Sequence, residues 1–301
     1  MTEMFPQSPV SLSRPRLWLA DSIGDRVLSR LRDLNSEVKR SGVRPRLVIF
    51  DYLESPVAGT LRTMASDLGV MVGLEPIEQS LPASALRDRF RLLEKSRGVH
   101  GVLFPTALSE AHRSCLEAHP ELRHLDLDSR REGFSPQATA FLQLAAAFGW
   151  DPRGRRTTLL AKPETAFLCA GLAEELAKTG MSVEVVQTTP SLQAPPLGHS
   201  DCVWFCHGRQ MNLAQLHLGS GTVIVDVGRA FDLAASLTPA QNRHLACRSR
   251  GLCPADGGLS ALVMLHRLQR VLRRALGPSR ISESERARGR SSAFSPRGVR
   301  L

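Results

Sequence analysis

The residues best suited to bind a ligand lie at the end of the segment Thr222-Val-Ile-Val-Asp-Val-Gly228. Its β-branched residues run without polar alternation, which is typical of a strand buried on both faces of a parallel sheet. In open α/β sheets the ligand lies beyond the carboxyl ends of the strands. We therefore predict that Asp226, Val227 and Gly228 border a binding cleft.

Residue types found in metal sites occur at Cys202, Cys206 and His207. The segment Asp201-Cys-Val-Trp-Phe-Cys206, however, has the composition of a buried strand, in which successive side chains point to opposite faces. The two cysteines then share one face and His207 lies on the other, so we predict no metal site. The six cysteines are spread along the chain without a secretory signal ahead of them, which predicts reduced thiols in a cytoplasmic protein.

The composition predicts two lobes, because 301 residues, 42% of them hydrophobic, can give each lobe its own core. Much of the net charge of +10 comes from arginines near the C-terminus, which are Arg267, Arg270, Arg273, Arg274, Arg280, Arg286, Arg288, Arg290, Arg297 and Arg300. We predict a solvated, disordered tail, and binding of nucleic acid or another anionic partner is the alternative. No apolar run reaches the roughly 18 residues needed to span a bilayer, so we predict no membrane association.

Helix and strand patterns alternate along the chain. The first half shows helices around 23–38, 55–68 and 84–93 and strands at 46–50, 70–74 and 99–104. This alternation predicts a parallel sheet. An apolar helix from Ser135 to Phe148 follows, with Ser135 as its N-cap. The second half then shows strands at 156–161, 183–187, 202–206 and 222–227 and a last amphipathic helix over 261–276, which predicts a small sheet of the nucleotide-binding type.

Five stretches, in order, resemble the bifunctional methylenetetrahydrofolate dehydrogenase/cyclohydrolase family. They are His100-Gly-Val-Leu-Phe-Pro105, Asp126-Leu-Asp128, Phe134-Ser-Pro136, Val223-Ile-Val-Asp-Val-Gly228 and Leu252-Cys-Pro-Ala-Asp-Gly-Gly258. In that order they are similar to the family's "DGILVQLP", "KDVDG", "CTP", "VIDVG" and "ITPVPGGVGPMT". The resemblance as a whole covers roughly residues 18–277.

The resemblance implies an α/β fold with an N-terminal folate-type lobe, a C-terminal Rossmann-type lobe for NADP, and a last helix that returns to the first lobe. The expected division is an arm at 1–15, the first lobe at 16–148 with the interdomain helix at 135–148, the Rossmann-type lobe at 149–256, the returning helix at 257–276 and a basic tail at 277–301. It also implies a folate-like substrate in the cleft between the lobes and a homodimer.

The resemblance also assigns the site residues. The substrate side consists of Ala58 and Arg62 at the family's Tyr-x-x-x-Lys pair, Pro105 at its glutamine, Asp126 or Asp128 at its pterin-binding aspartate, and Pro254, Gly257 and Gly258 in its ligand loop. The cofactor side consists of Lys162, His207, Gly208, Arg209, Asp226 and Gly228. In the family the lysine assists opening of the one-carbon bridge and the tyrosine stacks on the folate.

Several of these positions carry residues that cannot repeat the family's chemistry. Arginine has a pKa above about 12, so Arg62 can hold a charge but can hardly shuttle a proton as the lysine does. Pro105 lacks the donor and acceptor of the glutamine. Pro163 removes an amide, and Glu164 adds a negative charge where glycines of the family's phosphate loop admit the pyrophosphate. Lys162 offsets this charge only in part, so we predict weakened NADP binding.

Three hypotheses remain open. The first is a degenerate family member that binds a folate-like ligand, with catalysis lost or weakened. The second is an active NADP-dependent dehydrogenase or cyclohydrolase with rearranged machinery, in which Arg62, Asp126 or Asp128 does the chemistry. The third is a protein that binds nucleic acid or a partner through its arginine-rich tail.

Overall fold

The computed structural model describes residues 17–51, 56–78, 81–96, 98–104, 112, 119, 125–128, 133–163, 166–188, 197–206, 217–227 and 249–277. The chain divides into two compact units. The three-stranded unit contains Asp25–Pro136 and Met264–Leu301, and the five-stranded unit contains Met1–Gly24 and Gln137–Val263. The predicted arm at 1–15 and the tail beyond Gly277 lie outside the described residues.

The three-stranded unit is built on a parallel sheet of order β2-β1-β3. Its elements are α1 (Asp21–Arg40, which begins in the other unit), β1 (Arg46–Asp51), α2 (Pro56–Asp67), β2 (Met71–Pro76), α3 (Ala83–Lys95) and β3 (Gly101–Leu103). The apolar run of β1 lies at the centre, because Leu47, Val48, Ile49 and Phe50 are each at most 1% exposed. The predicted parallel sheet is confirmed.

Aromatic side chains fill one part of this core. The ring of Phe50 stacks on that of Phe104 with centroids 5.1 Å apart, and it meets Phe90 edge-on at 5.4 Å. Leu86 and Val102 pack in the same cluster. Edge and offset ring contacts of this kind stabilise a core beyond the area that they bury.

The five-stranded unit is built on a parallel sheet of order β5-β4-β6-β7-β8. Its elements are α4 (Pro136–Ala147), β4 (Arg156–Ala161), α5 (Ala166–Ala177), β5 (Ser182–Gln187), β6 (Cys202–Phe205), β7 (Thr222–Asp226) and β8 (Ser249–Cys253). Every residue of β7 is buried, as the β-branched run predicts. The sequence did not predict β8.

The last helix leaves one unit for the other. A π-helical turn (Ala255–Leu259) leads into α6 (Ser260–Leu276), and from Met264 onward this helix belongs to the three-stranded unit. The sequence predicts that this helix returns to the first lobe, and the unit that contains Met264–Leu301 also contains Asp25–Pro136. Helix α4 falls with the five-stranded unit, whereas the prediction placed 135–148 with the first lobe. Its Phe141 ring lies 4.8 Å from that of Trp204, which explains the assignment.

A short segment before α1 pairs with the edge of the five-stranded sheet. Leu17 forms a parallel bridge with Leu252 in β8, and the Trp18 N–H donates to the Leu252 carbonyl over 2.8 Å. The Trp18 ring is 1% exposed and stacks on Phe148 with centroids 5.2 Å apart. This segment covers β8, so the carboxyl-terminal strand does not present an open edge there.

Among the described residues, no helix has the length and apolar character needed to cross a membrane.

Candidate functional site

Asp126 and Asp128 lie beside the shortest strand of the three-stranded sheet. Asp126 forms a parallel bridge with Val102 in β3, and the Leu127 N–H donates to the Val102 carbonyl over 3.0 Å. The Asp126 carboxylate in turn accepts the N–H of Asp128 over 3.0 Å. This tight turn fixes both carboxyl groups at the sheet, because its backbone is bonded to β3 on one side and to an aspartate oxygen on the other.

Arginines of α6 bind residues 125–128, which we call the aspartate segment. Arg267 donates to both carboxylate oxygens of Asp128, with Nε 2.8 Å and Nη2 2.7 Å from them. Arg270 donates to the carbonyls of Leu127 and Phe134 over 2.7 and 2.6 Å, and Arg274 donates to those of Leu125 and Asp126. Positions i, i+3 and i+7 lie on one face of a helix, so the three guanidinium groups form a continuous clamp.

The clamp corrects the interpretation of the C-terminal arginines. The sequence grouped Arg267, Arg270 and Arg274 with a solvated basic tail, but Arg267 and Arg270 are only 8% and 9% exposed. They donate to the Asp128 carboxylate and to the carbonyls of Leu127 and Phe134, which makes the burial of a charge tolerable. These side chains are therefore not available to bind nucleic acid.

Asp126 titrates unusually close to neutrality. Burial and then the negative charge of Asp128 raise its pKa, while the Asp128 N–H and the cations Arg267 and Arg274 oppose the shift, and the result is a pKa of about 6. A carboxyl group of this kind accepts hydrogen bonds when it is charged and also donates one when it is protonated. Perturbed carboxyl groups are concentrated at ligand sites, which makes Asp126 the strongest candidate for ligand recognition in this unit.

We expect Asp126→Asn to stabilise the protein by about 1–3 kcal/mol near pH 7 and to have little effect near pH 4. The folded-state pKa exceeds the ordinary value, so the folded protein binds the proton more tightly, and Asp126 lowers the free energy of unfolding as the pH rises from about 4 to 6. Urea unfolding of both proteins at several pH values measures this difference. Asp88→Asn, at an exposed carboxyl group of α3, is the control. A difference that does not change with pH would contradict the assignment.

The positions of the family's Tyr-x-x-x-Lys pair lie on α2 of the same unit. Ala58 is 6% exposed, so its methyl group packs in the core and offers no ring to a ligand. Arg62 is exposed. Pro105, at the glutamine position, lies outside the described residues. The three-stranded unit thus carries a described carboxyl pair and an exposed cation among the predicted substrate residues.

The predicted cofactor residues belong to the five-stranded unit. Asp226 is fully buried at the carboxyl end of β7, where it pairs in register with Phe205 of β6. Lys162 is exposed directly after β4, and α5 begins at Ala166. His207, Gly208, Arg209 and Gly228 lie outside the described residues. The two described residues lie at the edge where parallel sheets bind nucleotides.

The glycines of the predicted ligand loop are also required by the backbone conformation and packing of the turn. Gly257 has a φ of 70°, which favours glycine, and its carbonyl accepts the Ala20 N–H over 2.8 Å. A β-carbon on Gly258 would lie 3.1 Å from Pro254 Cδ and 3.2 Å from Cys253 Sγ. The turn therefore needs both glycines for its own packing, whether or not a ligand approaches it.

Two features of the sites were missed in the sequence. The arginine clamp had a signal, namely three arginines at helical spacing on an otherwise apolar stripe. The thiols of Cys169 and Cys206 hydrogen-bond to each other at the cofactor edge, and no sequence pattern indicates that contact. In the described part of the chain, no three His, Cys, Asp or Glu side chains are grouped so that they could hold a metal ion.

Comparison with known proteins gives similarity in structure only. No protein-family model matches the chain, and no curated protein matches it in sequence. Solved structures, in contrast, match over most of its length.

Three of these structures share one enzyme class. The bifunctional enzyme FolD, a methylenetetrahydrofolate dehydrogenase/cyclohydrolase from Campylobacter jejuni, has a TM-score of 0.67 at 16% identity, over 86% of this chain and 98% of its own. FolD from Trypanosoma brucei, complexed with NADP cofactor and inhibitor, has a TM-score of 0.67 at 18% identity, over 91% and 99%. The NAD-dependent 5,10-methylenetetrahydrofolate dehydrogenase from Saccharomyces cerevisiae has a TM-score of 0.66 at 13% identity, over 90% and 100%. The predicted fold resemblance is confirmed.

Proposed function

We propose that this chain, which has the fold of the methylenetetrahydrofolate dehydrogenase/cyclohydrolases, is a degenerate relative of them. It binds a folate-like ligand of one-carbon metabolism, and its catalysis is lost or weakened. One observation carries the proposal. The unit that resembles the folate lobe keeps a half-buried, titratable carboxyl group at Asp126 but has Ala58 and Arg62 in place of the catalytic pair.

Ligand recognition rests on Asp126. Pterin rings present neighbouring N–H donors, and a carboxylate accepts two such donors side by side. The partners of Asp128 leave the two aspartates unequal, because Arg267 occupies both oxygens of Asp128. Asp126 therefore recognises the ring in this proposal, while Asp128 anchors the segment to α6.

The loss of catalysis rests on α2. Ala58 has no ring and is buried, and an arginine at position 62 offers a fixed cation in place of a lysine. General acid–base catalysis needs a group whose pKa lies near the working pH. Arg62 can attract the negative charge of a ligand from its exposed position, but it does not exchange protons in the way the family's lysine does.

Cofactor binding is weakened in the same proposal. FolD from Trypanosoma brucei was solved with NADP and the yeast enzyme is NAD-dependent. Here Pro163 lies two residues beyond the end of β4 and has no N–H for a pyrophosphate oxygen. Lys162 is the described cation nearest to that turn in sequence. The resemblance also supports a homodimer that pairs through a sheet edge.

Thermal denaturation with reduced folates, NAD and NADP tests the proposal. A ligand that binds only the folded state stabilises it by about 2.7 kcal/mol at 100 times its Kd, a shift of roughly 5–10 °C for a chain of this size. We expect this shift with a reduced folate such as 5-formyltetrahydrofolate and a much smaller one with either nucleotide. Asp126→Asn is expected to remove the folate shift and Asp88→Asn to keep it.

Activity measurements separate this proposal from a working enzyme. Oxidation of methylenetetrahydrofolate with NADP or NAD, or hydrolysis of the methenyl form, at about 1–1000 per second would overturn it. In that case Arg62→Ala tests the alternative in which Arg62 takes part in catalysis. A protein that no folate stabilises would show instead that the fold is kept without the ligand.

A further inference from the structure

Two cysteines meet where the second and third strands of the five-stranded sheet end. Cys206 follows β6 directly, and its N–H donates to the carbonyl of Leu160 in the neighbouring strand β4 over 2.9 Å. Cys169 lies in the first turn of α5, which begins soon after β4 ends, and it is 5% exposed. Because β4 and β6 are neighbours in the sheet, both cysteines lie near the carboxyl ends of these strands, and their side chains are in hydrogen-bond contact there.

A hydrogen bond joins the two thiols. The Cys206 thiol donates a hydrogen bond to the Cys169 sulfur, which lowers the pKa of Cys169 against the opposing effect of burial. The same bond, burial and the charge of Asp226 hold the pKa of Cys206 well above its ordinary value. One sulfur is thus the nucleophile and the other the proton-bearing partner, which is the arrangement of a reactive cysteine beside a resolving one.

The other described cysteines differ. Burial raises the pKa of Cys253 to about 12 and that of Cys202 further still. A thiol reacts as its thiolate, so these two are unreactive by comparison. Cys206 is half-buried, whereas Cys169, Cys202 and Cys253 are buried. Cys169 and Cys206 are thus a pair in hydrogen-bond contact that solvent reaches from the side of Cys206.

We propose that Cys169 and Cys206 are a redox modification site, which hydrogen peroxide converts into a reversible disulfide. In the first step the Cys169 thiolate attacks one peroxide oxygen, the O–O bond breaks, and hydroxide leaves and takes a proton from solvent. This step leaves a sulfenic acid on Cys169. The Cys206 sulfur then loses its proton and attacks the Cys169 sulfur, the S–O bond breaks, and water leaves.

The overall change is balanced. Two thiols are oxidised to one disulfide, and one hydrogen peroxide is reduced to two waters. The bond joins the first turn of α5 to the carboxyl end of β6, and a dithiol reductant restores both thiols. In a reducing compartment a disulfide of this kind is a transient, signalling modification rather than a structural one. The inference does not depend on whether a folate binds.

Peptide mapping of the full chain tests the proposal. The reduced protein is treated with hydrogen peroxide, its remaining thiols are alkylated with iodoacetamide, and the digest is analysed by mass spectrometry. We expect a crosslinked peptide that contains Cys169 and Cys206 and is lost when dithiothreitol precedes alkylation. Cys169→Ala and Cys206→Ala should each abolish it, and Cys202→Ala, at a buried cysteine of the same sheet, should keep it.

The wild-type digest is decisive even if a variant folds poorly, and far-UV circular dichroism identifies such a variant. A crosslink from Cys169 or Cys206 to any other cysteine, including Cys115 or Cys247, would overturn the proposal. So would oxidation of Cys169 to the sulfinic acid without a crosslink, or full alkylation of both cysteines after peroxide treatment.

Discussion

Replacing Trp18 by alanine is expected to lower the free energy of unfolding by about 3–5 kcal/mol, the range for large aromatic residues deleted from a core. The indole is 1% exposed, stacks on Phe148 and meets Trp150 edge-on with centroids 6.2 Å apart. Its removal leaves a cavity between the N-terminal segment and β8. Urea unfolding measures the loss, and Leu17→Ala, at a 45% exposed neighbour, should cost far less.

A double-mutant cycle sharpens this prediction. A β-carbon on Gly251 would lie 2.2 Å from the Trp18 Nε1 and 2.7 Å from its Cε2, so Gly251→Ala should displace the ring. Once Trp18 is alanine, the same substitution meets open space. We therefore expect the two losses to be strongly non-additive. Additive losses would show that Trp18 does not pack on Gly251.

Replacing Arg270 by methionine is expected to lower the free energy of unfolding by about 2–4 kcal/mol. The guanidinium is 9% exposed and donates to the carbonyls of Leu127 and Phe134. Methionine fills much of the volume but leaves these acceptors without their donors, and hydrogen bonds from a charged donor are worth about 1.5–3 kcal/mol each. Urea unfolding again gives the measurement.

The matched control for this substitution lies on the same helix. Arg273→Met removes the same charge at an exposed position of α6 and should change stability by less than about 0.5 kcal/mol. Equal effects of the two substitutions would contradict the clamp and favour a general effect of charge. If the clamp holds, Arg270→Met should also weaken the folate shift, because α6 fixes the segment that carries Asp126.

The part of the candidate site that lies in the three-stranded unit could be predicted from the sequence because its signals are local. Asp126-Leu-Asp128 follows a predicted strand in the order that the family shows, and the carboxyl pair is indeed bonded to β3. The pKa of Asp126 was not accessible, since it depends on burial and on Asp128, Arg267 and Arg274 around it. Two of these four determinants come from a helix at the other end of the chain.

In the five-stranded unit, too, the sequence predicts the local pattern but not the contacts between segments that are distant in the chain. The β-branched residues at 223–225 are enough to indicate a buried strand. Ser249–Cys253, in contrast, form β8 although three of its five residues are a serine, an arginine and a glycine. That strand exists because β7 pairs with it on one side and the segment of Trp18 on the other. Likewise, Cys169 and Cys206 meet only because β6 lies beside β4.

The sequence by itself determined the alternation of helices and strands, the parallel sheets, the family resemblance and the replacement of the catalytic pair by Ala58 and Arg62. These follow from side-chain periodicity and residue identity, which are properties of short stretches. Tertiary structure alone decided that Arg267 and Arg270 are buried rather than solvated, that Asp126 titrates near pH 6, and that two thiols share a hydrogen bond. The reason is physical: burial and electrostatic environment are set by neighbours in space, which lie far apart along the chain.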